Sequence, residues 1–181
     1  MKEFNKQVNY TKDGVIDFFG ERIVLFPPDI ISLLSTVYGQ GAEALLVFLG
    51  KKMGRRMSEK WEESLKPVTL EQFTNLFCQF ISTCGWGRFD PVEISEQTIV
   101  VNIKHNITEE LDIPTKHICY FIKGLLLGFG EYALYRADVQ EIDCTTENKN
   151  KTCVFEIRKK LWRLIPTEPI INPMSPEGEN I

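Results

Sequence analysis

The spacing of apolar residues changes along this chain from every second position to every third or fourth and back, which confines it to a mixed fold. Val15-Ile-Asp-Phe-Phe and Arg22-Ile-Val-Leu-Phe are β-type runs broken at Gly20-Glu21, a hairpin pattern. Pro27-Pro28 ends the second run, and Asp29 is expected to cap a first helix. Over residues 30–65 the period is helical: Ile30, Leu33, Leu34 and Val37 form one expected buried face, and Ala44, Leu45, Phe48, Leu49 and Met53 another. Gly39-Gln-Gly41 divides these two helices. Thr69 and Gln72 match a capping box at the start of a third helix, which turns Phe73, Leu76, Phe77 and Phe80 inward and ends near Gly85-Trp-Gly87. Strands follow at 88–94 and 98–105. A fourth helix follows Pro114, with His117-Ile-Cys119 at its start, and runs to about Tyr135; a hairpin of residues 139–145 and 152–158 closes the pattern. Strands at both ends with helices between them predict an α+β domain. Its mainly antiparallel sheet has an N-terminal hairpin, central helices packed on one face and a C-terminal hairpin.

A chain of 181 residues can bury one proper core. Residues 1–13 read as a loosely held polar N-terminus, 14–163 as the single domain, and 164–181, with Pro166, Pro169, Pro173 and Pro176, as an extended tail. A net charge of −4 argues against a nucleic-acid footprint, which is normally basic. No run approaches the roughly 20 apolar residues that span a bilayer. The N-terminus is charged and has no apolar signal region, so a cytoplasmic location with reduced thiols is expected. Five cysteines, an odd count, do not suit a secreted disulfide scaffold. The Asn-x-Thr triplets at Asn106 and Asn150 then read as chance.

Cys144 and Cys153 stand at the two ends of the polar loop of the last hairpin, with Glu141 three positions before the first. Thiolates are preferred zinc ligands, and two from one hairpin make half of a tetrahedral set. In a regular strand Glu141 and Cys144 face opposite sides, so a joint site requires a bulge or a turn. His117-Ile-Cys119 is the segment from which a further ligand could come. His117 and Cys119 point about 200° apart on a helix, which leaves His117 as a surface or capping residue; His105 reads as an exposed strand end. On spacing alone, packed thiols, a disulfide and a metal site all stay open.

The order of motifs resembles the vinyl-4-reductase domain family, part of a wider ligand-binding fold shared with nitric-oxide-signalling and Golgi-transport proteins. The resemblance covers roughly residues 14–158. It rests on the hairpin after Gly14, on Gly85-Trp-Gly87 and on Cys119-Tyr-Phe-Ile-Lys-Gly124 with Gly128. Glu141-Ile-Asp-Cys144 and Cys153-Val-Phe155 complete it. In phenol-sensing activators of this family a comparable set binds one zinc, so the resemblance implies Cys119, Glu141, Cys144 and Cys153 as ligands of a structural zinc. The last loop departs from the family in having no glycine over residues 145–152. Cys78 and Cys84 fall outside the set and read as packed.

Members of the family have been proposed to bind hydrocarbons or aromatic compounds. The aromatic-rich interior, with Trp86, Phe77, Phe80 and Tyr120 as pocket candidates, accordingly suggests a cavity between the third helix and the sheet that admits a flat apolar molecule. Gly39-Gln-Gly41 lacks a phosphate-binding fingerprint and reads as a helix break. Lys51–Arg56 reads as a solvated helix face, and Gly124 with Gly128 as a close packing contact within the domain. With two histidines and no acid–base or nucleophile arrangement, the expected function is a small-molecule-binding, regulatory domain stabilised by zinc. The resemblance further implies a homodimer, and a protein partner would pass on any signal. The alternatives are an enzyme or enzyme subunit related to vinyl-group reduction on a tetrapyrrole, and a scaffold subunit.

Overall fold

In the computed structural model, which describes residues 8–10, 13–18, 21–24, 26–109, 116–144 and 152–161, helices and strands alternate as the apolar spacing requires. The expected N-terminal hairpin is present as β2 (Ile16–Phe18) and β3 (Glu21–Ile23). A third strand, β1 (Val8–Tyr10), pairs antiparallel with β2. It lies within the stretch read as loosely held, and three residues are too few to show a period. Residues 1–7, and the proline-rich tail with all else from 162 on, lie outside the described residues.

Helix α1 (Asp29–Tyr38) begins at Asp29, not after it: Pro28 holds the cap position with no side-chain cap bond. Proline's fixed φ suits a helix start, and so replaces the expected carboxylate cap. The expected buried face of α1 is largely turned outward. Ile30 is 40%, Leu33 63% and Val37 81% exposed, while Ile31 and Ser35 face inward.

After a 3-10 turn at Gly39–Gly41, α2 (Ala42–Leu65) shows the same reversal. Phe48, Leu49 and Met53 are exposed, and the buried stripe is Ala42, Leu46, Gly50, Gly54, Ser58 and Trp61. A stripe of small residues at four-residue spacing lets another helix backbone come close, and that contact outweighs the burial of bulkier side chains on the neighbouring face. The third helix, α3 (Leu70–Thr83), starts as the capping pattern requires. Thr69 Oγ1 accepts from the Gln72 N–H at 3.1 Å, and Gln72 Oε1 accepts from the Val68 N–H at 2.9 Å.

Strands β4 (Arg88–Ile94) and β5 (Thr98–Lys104), helix α4 (His117–Ala133), and strands β6 (Ala137–Asp143) and β7 (Thr152–Lys159) follow. Helix α4 begins at His117, the segment expected to start it; Pro114 lies outside the described residues. The two hairpins join through β5 and β7 into an antiparallel sheet of order β4-β5-β7-β6. Ile99, Val101 and Ile103 of β5, with Cys153, Phe155 and Ile157 of β7, alternate into the core.

Helix α4 is apolar nearly all round because it is covered on two sides. Toward α2, a methyl group at Gly124 would overlap the Val47 carbonyl, and one at Gly128 the Lys51 carbonyl. From the other side, Gly50 and Gly54 would meet the Phe121 and Leu125 carbonyls. Toward the sheet, Gly130 lies against Ile157 and Ala137. The Gly124–Gly128 contact is therefore internal, as expected. The structure is α+β, with its helices layered on one face of the main sheet.

Candidate functional site

Strand β7 turns Cys153 inward in step with Phe155 and Ile157. On β6, Glu141 opposes Phe155 and Asp143 opposes Val154, so the pairing skips Ile142. This bulge shifts the alternation by one residue. Cys144 therefore falls next to Cys153 and on the same side as Glu141, the condition the sequence required for a joint site. The first turn of α4 brings Cys119 over this end of the sheet.

The three sulfurs and one Glu141 carboxylate oxygen lie within 4.8 Å of one another. Cys119 Sγ and Cys144 Sγ are 3.8 Å apart. That separation matches the edge of a tetrahedron with metal–sulfur bonds of about 2.3 Å. Cys119, Cys144 and Cys153 are at most 1% exposed, and Glu141 Oε1 is buried with no hydrogen-bond partner among the described residues. Buried polar atoms are nearly always partnered, and a cation would supply the missing one.

Electrostatics agree. The sulfur of Cys153, then burial, then the Glu141 charge push the Cys119 thiol far above its ordinary range. Burial pushes the Glu141 carboxyl up, although the Cys144 and Cys119 thiols oppose the shift. Without a cation the set retains protons; a divalent ion would displace them. Three thiolates and a carboxylate fill four positions, which suits a closed structural shell.

Sequence reasoning missed the support around this set. Asn106 Nδ2 donates to Cys153 Sγ at 3.3 Å, and Asn106 Oδ1 accepts from the Thr108 N–H at 3.3 Å. Asp143 Oδ1 accepts from the Cys144 N–H at 2.9 Å. Asn106 is 1% exposed, and the Asn-x-Thr triplet read as chance holds a partner of a thiol. No signal in one sequence could have found it, because the contact depends on the β5–β7 register that pairs Ile103 with Cys153. His117 lies outside the donor set, with its ring 6.0 Å from that of Tyr120. Cys78 is buried, and burial, then the Asp90 charge, pushes its thiol up to about 12; Cys84, read from the sequence as packed, is exposed.

A cavity of about 620 Å³ lies between the N-terminal sheet, α1, α2, the end of α3 and Phe121 in the first turns of α4. Trp86 and Phe80 line it. Phe77 does not: it is fully buried and stacks on Phe129 at 4.3 Å. Tyr120 also lies outside the lining, on α4 and facing Glu43. Phe73 and Phe77 of α3 instead pack on Phe129 of α4, and the cavity lies beside the N-terminal sheet, α1 and α2 rather than between α3 and the main sheet. Its inner wall is aromatic: Trp61 and Phe80 are 3.8 Å apart, and Trp86 and Phe121 4.9 Å, between ring centres. Trp86 is presented by Gly85 (φ +88°) and Gly87 (φ +123°), conformations that side-chain-bearing residues avoid. A methyl at Gly87 would also lie 3.0 Å from the His105 carbonyl oxygen. The sequence reading missed Met57 and Trp61 of α2, which continue at four-residue spacing from Met53.

The architecture is an α+β fold shared with solved structures, among them members of the group that the sequence resembles. No family model matches the sequence, and the curated proteins yield no match. Among solved structures, the phenol-responsive sensory domain of the transcription activator PoxR with phenol is similar at a TM-score of 0.73. It has 12% identity over 87% of each chain. A trafficking protein particle complex subunit 3 from Naegleria fowleri, covalently bound to palmitic acid, matches at 0.56 and 13% identity, covering 74% of this chain and 90% of that one. A vinyl-4-reductase family protein from Methanocaldococcus jannaschii matches at 0.53 and 19% identity, covering 76% and 84%. At these identities the likeness establishes the fold.

Proposed function

We propose that this chain is a regulatory domain that binds a small apolar or aromatic molecule and is held together by a structural zinc ion. The observation that carries the reading is the cavity of about 620 Å³, a volume in the range of ordinary ligand sites, with an aromatic inner wall. The similarity to a sensory domain whose structure contains phenol supports it. Zinc is the metal for Cys119, Glu141, Cys144 and Cys153, because three thiolates favour a borderline-soft ion and the closed shell leaves no position for a substrate. Its role is to tie α4 to the β6–β7 hairpin. Among the described residues no helix is long and apolar enough to cross a membrane. The reduced cytoplasm expected from the sequence is the setting in which such thiols stay available to a metal.

Flat apolar compounds should change Trp86 fluorescence and raise stability by about 2.7 kcal/mol at a hundredfold excess over the dissociation constant. Repeating the titration in Trp86→Phe assigns the signal against Trp61 and Trp162. If phenols, polycyclic aromatics, porphyrins and long-chain lipids all fail to shift the melting temperature, the reading falls.

The outward-facing Leu33, Val37 and Phe48 also support a homodimer, since an apolar patch of this kind commonly marks an interface. Light scattering should give twice the chain mass of 20.9 kDa, and Val37→Glu should return the protein to that mass. A monomer at micromolar concentration in the unaltered protein would refute the pairing.

A further inference from the structure

Three thiolates and a carboxylate carry four negative charges against two on a divalent ion. A filled site at Cys119, Glu141, Cys144 and Cys153 therefore keeps an excess of about two. Buried charge is costly unless hydrogen-bond donors meet it. Asn106 is such a donor: it is 1% exposed, and its Nδ2 lies 3.3 Å from Cys153 Sγ. The direction of that contact is fixed from its other end. Asn106 Oδ1 accepts from the Thr108 N–H, which can only donate, so the oxygen faces the chain and the NH₂ group faces the sulfur.

The backbone is bent to make this contact. Ile103 pairs with Cys153 across the β5–β7 ladder, and both are fully buried. A regular continuation of β5 would turn His105 to that face and Asn106 away from it. His105 instead has φ +51°, a left-handed conformation uncommon for a residue with a side chain, and the alternation reverses. His105 is exposed and Asn106 is buried. Core packing gives no reason for the reversal, since it brings an amide, not an apolar side chain, inside. A thiolate at Cys153 gives one.

We propose that Asn106 is a positioning residue of the metal centre, donating through Nδ2–H to the Cys153 thiolate and drawing off part of its negative charge. This rests on the reading of the four donors as a zinc site and adds to it a residue outside the ligand set. A hydrogen bond to an ionised acceptor is about twice as strong as one between neutral groups, so the contact gains most when the thiol is deprotonated and metal-bound. Holding the Thr108 turn is a separate role, served by Oδ1 alone. An aspartate serves that role equally well and has no donor for the sulfur.

The test separates the two roles on the full chain. In the unaltered protein loaded with an NMR-active cadmium isotope, one Nδ2 proton of Asn106 should show coupling to the metal through the Cys153 sulfur. Absence of that coupling overturns the donor contact. In Asn106→Leu the zinc affinity, read by competition with a chromophoric chelator, falls about 10- to 100-fold, the usual effect of losing a partner of a metal ligand. Asn106→Asp loses at least as much, because it sets a negative charge beside the thiolate. In both variants loaded with Co(II), the sulfur-to-cobalt charge-transfer band moves to lower energy, since a thiolate without its donor releases an electron more readily. If Asn106→Asp keeps the original affinity and band, Asn106 serves the Thr108 turn only and the proposal is overturned, while the zinc site stands. If the unaltered protein holds no zinc, both fall. Should either variant fail to fold, the cadmium coupling in the unaltered protein decides.

Discussion

Purified without chelators, the domain should contain one zinc per chain, and removing that zinc should lower its melting temperature by more than about 10 °C. The expected size follows from two magnitudes. Structural zinc sites bind with apparent free energies of about 10–16 kcal/mol, which in a protein that lacks a preformed site in its unfolded state is folding energy. At about 2–4 °C per kcal/mol for a chain of this size, the loss of about 5 kcal/mol already reaches that threshold. Cys153→Ser should act similarly, since it removes a sulfur that is 0% exposed and lies within 4.8 Å of the other donors. Cys78→Ser is the control: Cys78 is equally buried but outside the donor set, so it should cost about 1–3 kcal/mol, the penalty of burying a hydroxyl. Metal analysis well below one zinc per chain, or equal melting temperatures for the two variants, would remove the site from this account.

The second large effect is expected at α2 and α4. Gly50→Ala or Gly54→Ala places a methyl in the Phe121 or Leu125 backbone carbonyl, and Gly128→Ala places one in the Lys51 carbonyl. Backbone cannot step aside as a flexible side chain can, so the two helices must separate along their whole contact. Overpacking in a dense core costs about 1–3 kcal/mol where side chains can adjust. Here the cost should exceed about 3 kcal/mol, and the double variant Gly54→Ala, Gly128→Ala should fail to fold. Gly41→Ala should change stability by less than about 1 kcal/mol, because nothing lies within 4 Å of its added methyl and its φ is −80°. Denaturant unfolding of the four variants measures the contrast. Equal losses at Gly41 and Gly54 would mean that α2 and α4 are not packed backbone to backbone.

The periods of the apolar residues were enough to place the longer elements, though not the three-residue β1. Both hairpins, the four α-helices of the described residues and the α+β class were legible, with several boundaries agreeing to the residue, as at 88–94. Local chemistry was legible for the same reason: the Thr69–Gln72 cap involves neighbours in the chain. The donor set was nameable only because its spacing resembled a known family. What spacing could not say was how Glu141 and Cys144 share a side, which the bulge at Ile142 answers.

The faces of α1 and α2 were misjudged for a physical reason. Counting bulky apolar residues finds a helix face that is capable of burial, and Leu33, Val37 and Phe48 make such a face. Which face is buried depends on what arrives opposite, and the glycines of α4 meet the glycines of α2. The cavity followed from that choice: with Gly50 and Gly54 against α4, the Met53, Met57 and Trp61 side of α2 is left to form a wall. Thus the order, type and chemistry of the elements were determined by the sequence itself, since each depends on residues a few positions apart. Which faces meet, where the empty space falls and what supports Cys153 were decided only in the tertiary structure, because each depends on backbone approach between segments far apart in the chain.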